Sequence, residues 1–121
     1  MPRPYKLYLE DIIDSIQKIS DYTKGMNITS FANHSMAFDA VLRNLEIVGE
    51  ATKKIPRRIR TQYQQIEWKK IAGLRDIIIH EYFGVNKKIL WEIITRKIPV
   101  LEKQILMILQ DLKKDDLPFQ Q

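Results

Sequence analysis

Apolar residues recur with the period of an α-helix along most of this chain, and this pattern constrains the fold most strongly. In the first segment, Leu9, Ile12, Ile16 and Ile19 are spaced by three and four residues. Such spacing places them on one side of a helix. No stretch shows the sustained alternation of apolar and polar residues that is typical of a half-buried strand. The chain is therefore predicted to be all-α.

The pattern and its breaks predict four main helices and one short helix. The main helices run from about Tyr5 to Tyr22, from about Asn33 to Lys54, from Trp68 to His80, and from after Asn86 to near the end. The short helix runs from Pro56 to about Tyr63, with proline at a favoured first-turn position.

Glycine, asparagine, proline and histidine residues at the ends of the predicted helices or inside them indicate connections, caps and a kink. Gly25 and the polar stretch to Ser30 are expected to form the first connection. Asn86 can cap the last helix, and Pro99 inside that helix should kink or split it. His34 is expected to be a surface or capping histidine.

Length and composition limit the class of protein. The 121 residues suit a single domain, 1–121, in which the tail 113–121 is expected to fray. No apolar run reaches the roughly 18 residues that a membrane span needs, and the first residues lack a signal-peptide pattern. The absence of cysteine excludes disulfides and cysteine-based metal sites, and it suits a cytoplasmic protein.

The stretch with the most chemistry contains Arg75, Asp76, His80 and Tyr82. Asp76 and His80 are four residues apart and share a helix face, with Arg75 on its flank. That face lies roughly opposite the apolar row Ile71, Leu74 and Ile78. The ionisable side chains are thus expected to point toward water or a partner, which is also what any amphipathic surface helix shows.

Tyr82 has two interpretations. If the helix continues past His80, Tyr82 falls on the core side. If the helix frays there, with Gly84 able to end it, the hydroxyl is free to face the same cleft as His80.

Lysine and arginine exceed aspartate and glutamate by 20 − 15 = 5. This excess permits contact with nucleic-acid phosphates, although a basic protein without such a role would look the same. Lys53, Lys54, Arg57 and Arg58 cluster after the second helix, as a solvated face or as an RNA-binding surface.

The second helix carries an apolar arc wider than one neighbour can cover. The arc comprises Phe38, Ala40, Val41, Leu42, Leu45, Ile47, Val48 and Ala51. Part of this surface is expected to contact a second subunit, and the alternative is the central helix of a monomeric bundle.

Two blocks of the sequence resemble the HepT-like branch of the HEPN superfamily. One is Trp68-x3-Ala72-Gly73-Leu74-Arg75-Asp76-x3-His80-x-Tyr82-Phe83-Gly84-Val85, and the other spans Ala40 to Ala51. The resemblance covers nearly the whole chain and implies a HEPN-type up-down helical bundle that forms a homodimer. The family's motif is an arginine, a polar residue that is often asparagine, a spacer and a histidine, and Asp76 takes the polar position here.

The resemblance implies a metal-independent endoribonuclease without a cofactor, whose catalytic residues are Arg75, His80 and Asp76. An arginine suits phosphate because its fork stays charged, and a histidine suits proton transfer because its pKa lies near neutrality. One such histidine per subunit is too few for both acid and base, and a dimer that joins two motif faces supplies two.

The resemblance also implies a toxin of a toxin–antitoxin pair. Its antitoxin would be a minimal, MntA-like nucleotidyltransferase that transfers AMP to the tyrosine of Arg-x4-His-x-Tyr, here Tyr82. HEPN proteins also include non-catalytic binding modules that assist a partner nucleotidyltransferase, and this alternative stays open.

Overall fold

The computed structural model describes residues 3–80 and 86–115, without the side chains of residues 77–80. Its helices are α1 (Tyr5–Thr23), α2 (Ile28–Ala32), α3 (Ser35–Lys53), α4 (Arg57–Gln62), α5 (Trp68–His80), α6 (Lys87–Glu92), a π-helical segment (Ile93–Lys97) and α7 (Ile98–Asp115). The described residues contain no strand. The all-α prediction is confirmed, and the four long predicted segments form helices close to the predicted boundaries.

The connection predicted from Gly25 to Ser30 is wrong beyond residue 27, because α2 begins at Ile28. The backbone N–H of Ser30 donates to Asn27 Oδ1, and the backbone N–H of Asn27 donates to Ser30 Oγ, both over 2.9 Å. This reciprocal pair is a capping box, which starts a helix within a polar sequence. The short helix brings Phe31 into the core, where it is fully buried.

Helix α3 is the centre of the bundle, with α1 on one side and α5 on the other. Tyr8 and Asp11 of α1 lie beside the C-terminal half of α3, so these two helices run antiparallel. Within the predicted apolar arc, Ala40 and Ile47 are half-buried, and the other six residues are buried by this chain itself. These six residues are covered by the chain itself, so α3 is a central helix, and the expected contact of part of the arc with a second subunit stays a prediction.

The last predicted helix is interrupted just before Pro99. Proline has no N–H to donate, and its ring crowds the carbonyl four residues earlier. The π-helical turn at Ile93–Lys97 widens the helix immediately ahead of this proline. Such turns are rare and occur mostly as single-turn bulges inside α-helices. The helix therefore changes type between Glu92 and Ile98 but continues without a gap from α6 into α7.

Two predicted caps are present. His34 is the N-cap of α3, and its Nδ1 accepts from the backbone N–H of Ala37 over 3.0 Å. Asn86 caps α6, with Oδ1 accepting from the N–H groups of Lys88 and Ile89. His34 therefore has a local structural role.

At the other end of the chain, α7 continues to Asp115, so residues 113–115 of the predicted tail are helical. None of the helices within the described ranges carries an apolar stretch sufficient to cross a bilayer.

Candidate active site

The candidate site is built where α5 crosses α3 at Gly49. A Cβ atom at Gly49 would lie 2.8 Å from the backbone nitrogen of Arg75 and 3.2 Å from the carbonyl oxygen of Ile71. Neither backbone atom can move without moving α5. Gly49 therefore permits the close approach of the two helices, and this approach places Arg75 directly against α3.

Arg75 is held by two carboxylates, one from each helix. Its Nε lies 2.5 Å from Glu50 Oε2 on α3, and its Nη1 donates to Asp76 Oδ1 over 3.5 Å. The Arg75 side chain retains 36% of its exposure. Arg75 is thus oriented by the protein while its guanidinium still reaches solvent, as a phosphate-binding group must.

Asp76 also contacts a cation of α3. Lys53 Nζ donates to the two carboxylate oxygens of Asp76 over 3.1 and 3.2 Å. Glu50 and Lys53 are three residues apart on α3 and engage the adjacent residues Arg75 and Asp76 on α5. These four side chains form a charged network that spans the helix crossing, and we call it the crossing network.

Arg75 lines one wall of a surface groove of about 280 Å³ between α1, α3 and α5. The other charged lining residues are Asp11, Arg43, Glu46, Glu50 and Lys54. With Arg75, the groove has three acidic and three basic residues. Its formal charge is balanced, so it gives no net attraction for a polyanion by itself.

The structure describes the other motif residues only in part. His80 is the last residue of α5, one helical turn beyond Asp76, and its side chain lies outside the described part of the structure. Tyr82 and Gly84 also lie outside the described residues. The expectations for the His80 and Tyr82 side chains stay predictions. Of the predicted apolar row, Ile71 and Leu74 pack against the core, and the side chain of Ile78 lies outside the described part of the structure.

The structure disperses the basic cluster predicted to bind RNA. Lys53 pairs with Asp76, and Lys54 lines the groove beside Arg75. Arg58 stacks its guanidinium over the Tyr5 ring at 5.2 Å, and Arg57 lines a separate opening near the start of α5. These four cations therefore have different contacts, and their role in RNA binding stays a prediction.

No cluster of histidine and carboxylate side chains suited to a metal ion occurs in the described ranges. The residues that the sequence reading did not connect with the motif are Gly49 and Glu50. Both residues lie in the block Ala40 to Ala51 that carries the resemblance, and Glu50 lies three residues before Lys53 on the polar side of α3. A sequence does not show which helix that side meets.

With this geometry in place, comparison with known proteins identifies the family. The sequence profile described as "Ribonuclease HepT-like" matches residues 12–108. The chain belongs to the HepT-like ribonuclease family. The match includes α3, α5 and the whole crossing network of this HepT-like chain.

Several curated relatives are similar over most of this HepT-like chain. The protein named "Putative RNase TTE0752" of Caldanaerobacter subterraneus subsp. tengcongensis is 45% identical over 93% of this chain and 97% of its own length. "Probable ribonuclease HepT" of Thermococcus cleftensis is 39% identical over 84% of this chain and 93% of its own length.

A third relative is longer. "Gamma-glutamylcyclotransferase and putative RNase MJ0434" of Methanocaldococcus jannaschii is 41% identical over 95% of this chain, which spans only 52% of that protein. No solved structure is significantly similar to this chain.

Proposed function

We propose that this protein is a metal-independent endoribonuclease that acts as the toxin of a toxin–antitoxin pair in the cytoplasm. The observation that carries the proposal is the placement of Arg75, which is oriented by Glu50 and Asp76 yet exposed at a groove. It precedes His80 by five residues on the same helix, in a chain of the HepT-like ribonuclease family.

The chemistry needs few groups because RNA carries its own nucleophile. A neutral His80 takes the proton of the 2′-hydroxyl, and the 2′-oxygen attacks the adjacent phosphorus. The bond from phosphorus to the 5′-oxygen breaks, and a protonated histidine gives that oxygen its proton. Arg75 stabilises the negative charge on the phosphoryl oxygens through charged, forked hydrogen bonds.

The two proton transfers support a homodimeric site. The chain has two histidines, and His34 is occupied as the cap of α3. A two-fold dimer that joins two α5 helices would bring two copies of His80 and Arg75 into one cleft, one histidine acting as base and the other as acid. The partly exposed position of Arg75 and Asp76 is compatible with such a cleft.

Regulation in this proposal is covalent. A partner nucleotidyltransferase of the minimal, MntA-like type transfers AMP to the Tyr82 hydroxyl, which lies two residues after His80 in the sequence. The added phosphate would compete for Arg75, and the added nucleotide would fill the cleft. Tyr82 thus acts as the acceptor that silences the enzyme.

The test is cleavage of total RNA by the purified protein in EDTA. Wild type should produce discrete fragments, and Arg75→Ala and His80→Ala should produce none while retaining helical circular dichroism. Arg43→Ala is the matched control, because Arg43 lines the same groove but pairs with Glu46 at 3.6 Å. This variant should cleave like wild type.

Several outcomes would overturn the proposal. Activity retained by Arg75→Ala or His80→Ala would refute the assigned roles, and activity lost in EDTA would indicate a metal. A wild type that neither cleaves RNA nor arrests growth when induced alone would favour the non-catalytic module that assists a nucleotidyltransferase.

A further inference from the structure

We propose that Glu50 is a positioning residue that sets the orientation of the Arg75 guanidinium for phosphate. The inference rests on the proposed function, since it concerns how Arg75 meets RNA. Its basis is the ion pair between Glu50 Oε2 and Arg75 Nε at 2.5 Å, which joins two helices that are distant in sequence.

The geometry of the pair leaves Arg75 able to bind. A guanidinium has five N–H donors in a planar fork. Glu50 contacts Nε, and Asp76 contacts Nη1 at the longer distance of 3.5 Å. The contact with Asp76 is a hydrogen bond, and the contact with Glu50 is an ion pair. Together they restrain the guanidinium and leave donors over for two phosphoryl oxygens.

The support beneath Glu50 is rigid. Gly49, the preceding residue, lies so close to α5 that an added Cβ would be 2.8 Å from the backbone nitrogen of Arg75. Val48 and Ala51 on either side are buried in the core. The backbone of Glu50 is held by the core in this way, although its side chain is 49% exposed. The ion pair with this carboxylate restricts the arginine, so less side-chain freedom is lost when phosphate binds.

Lys53 completes the arrangement from the same helix. Asp76 beside Arg75 is a carboxylate that would repel a phosphate, and Lys53 Nζ contacts both of its oxygens. This pairing offsets the repulsion next to the arginine. Helix α3 thus supplies one acid to orient Arg75 and one base to neutralise its neighbour.

Two roles for Glu50 predict opposite results. If Glu50 only adds negative charge near RNA, Glu50→Gln should strengthen RNA binding and speed cleavage. If Glu50 positions Arg75, the same change should slow cleavage, because glutamine forms a weaker, uncharged contact with Nε. The sign of the effect on kcat therefore distinguishes them.

The experiment compares Glu50→Gln with Glu46→Gln on a labelled RNA. Glu46 lies one turn earlier on α3, lines the same groove and pairs with Arg43 instead of Arg75. Both variants remove one negative charge. We expect Glu50→Gln to lower kcat on the order of 10- to 100-fold, as small misplacement of a reacting group does, with KM little changed. Glu46→Gln should stay near wild type.

A spectroscopic readout accompanies the kinetics. The Nε–H resonance of Arg75, assigned by its loss in Arg75→Lys, should shift in Glu50→Gln and stay in place in Glu46→Gln. In the Arg75→Lys background, Glu50→Gln should have no further effect on residual cleavage, because lysine has no Nε–H to orient. This coupling is the signature of one residue acting through another.

The outcomes separate the inference from the proposed function. If Arg75→Ala is inactive while Glu50→Gln and Glu46→Gln behave alike, the inference is wrong and the proposed function stands. If Arg75→Ala is fully active, the proposed function itself fails. Should Glu50→Gln not fold, Glu50→Asp retains the charge but withdraws it by one methylene, and an undiminished kcat in that variant overturns the inference.

Discussion

Substitution of Gly49 by alanine should change the free energy of unfolding in two ways, by crowding the contact between α3 and α5 and by raising the helix propensity of the residue. The new methyl group would lie 2.8 Å from the backbone nitrogen of Arg75 and 3.0 Å from its Cβ. The nitrogen is a backbone atom and Cβ is bonded directly to the backbone, so neither can move away unless α5 as a whole shifts. The same shift would move Arg75 relative to Glu50.

The magnitude follows from two opposing terms. Alanine in place of glycine inside a helix contributes about 1 kcal/mol of stabilisation. Overpacking a tight contact costs about 1–3 kcal/mol. Gly73 offers the matched control, because it lies inside α5 and a Cβ there meets nothing within 4 Å among the described residues. The gain in helix propensity is the same in the two variants. The difference between their free energies of unfolding is therefore the cost of overpacking at Gly49.

Urea unfolding followed by circular dichroism would measure both variants. We expect Gly73→Ala to raise the free energy of unfolding by about 1 kcal/mol. Gly49→Ala should lie about 1–3 kcal/mol below Gly73→Ala, and its RNA cleavage should fall. Equal stabilisation by the two substitutions would refute the close helix crossing and the positioning role derived from it.

Further predictions concern three single side chains, those of Tyr63, Arg75 and Tyr82. Tyr63→Phe removes the 2.7 Å hydrogen bond to Asp111 and should cost about 1 kcal/mol in urea unfolding. Burial, then the bond to Asp111, raises the pKa of Tyr63 to about 12. The folded state therefore keeps a proton that the unfolded state loses near pH 10. The free energy of unfolding of wild type should thus fall between pH 10 and 12. It should fall less steeply in Tyr63→Phe, which lacks this proton. Arg75→Lys should cleave RNA poorly, because lysine lacks the fork. Co-expression with the nucleotidyltransferase should add the mass of AMP to wild type and not to Tyr82→Phe; a neutralised but unmodified wild type would contradict this.

The helices could be predicted because their signals are local. Spacings of three and four residues in α1, the proline at residue 56 and the cap at Asn86 act within one turn of chain. The start of α2 was missed because its capping box lies in a stretch without an apolar period. The sequence left two partners open for the α3 arc, a second subunit and the chain itself, since hydrophobicity shows that a face is covered and does not show by which chain.

The candidate site was only half visible in the sequence for a similar reason. Arg75 and Asp76 lie beside each other in a motif, whereas Glu50 and Lys53 lie more than 20 residues earlier. Glu50 and Lys53 can pair with Arg75 and Asp76 only if their side of α3 faces α5. Gly49 allows this arrangement because it has no side chain to collide with the backbone of α5. Sequence spacing predicts neighbours on one helix and gives no distance between helices.

The distribution of charge predicts where RNA outside the reacting nucleotides is held. The groove beside Arg75 is balanced, and Lys53 is already paired with Asp76. By contrast, the opening at the start of α5 has Arg57, Arg60, Lys69 and Lys70 against a single acid, Glu67. Each phosphate neutralised by such cations releases counterions, so affinity falls steeply with salt. We expect Lys69→Ala to weaken RNA binding and reduce the slope of log affinity against log salt by about 1. Lys54→Ala in the balanced groove is the comparison, and an equal loss of slope in that variant would place the RNA along the groove instead.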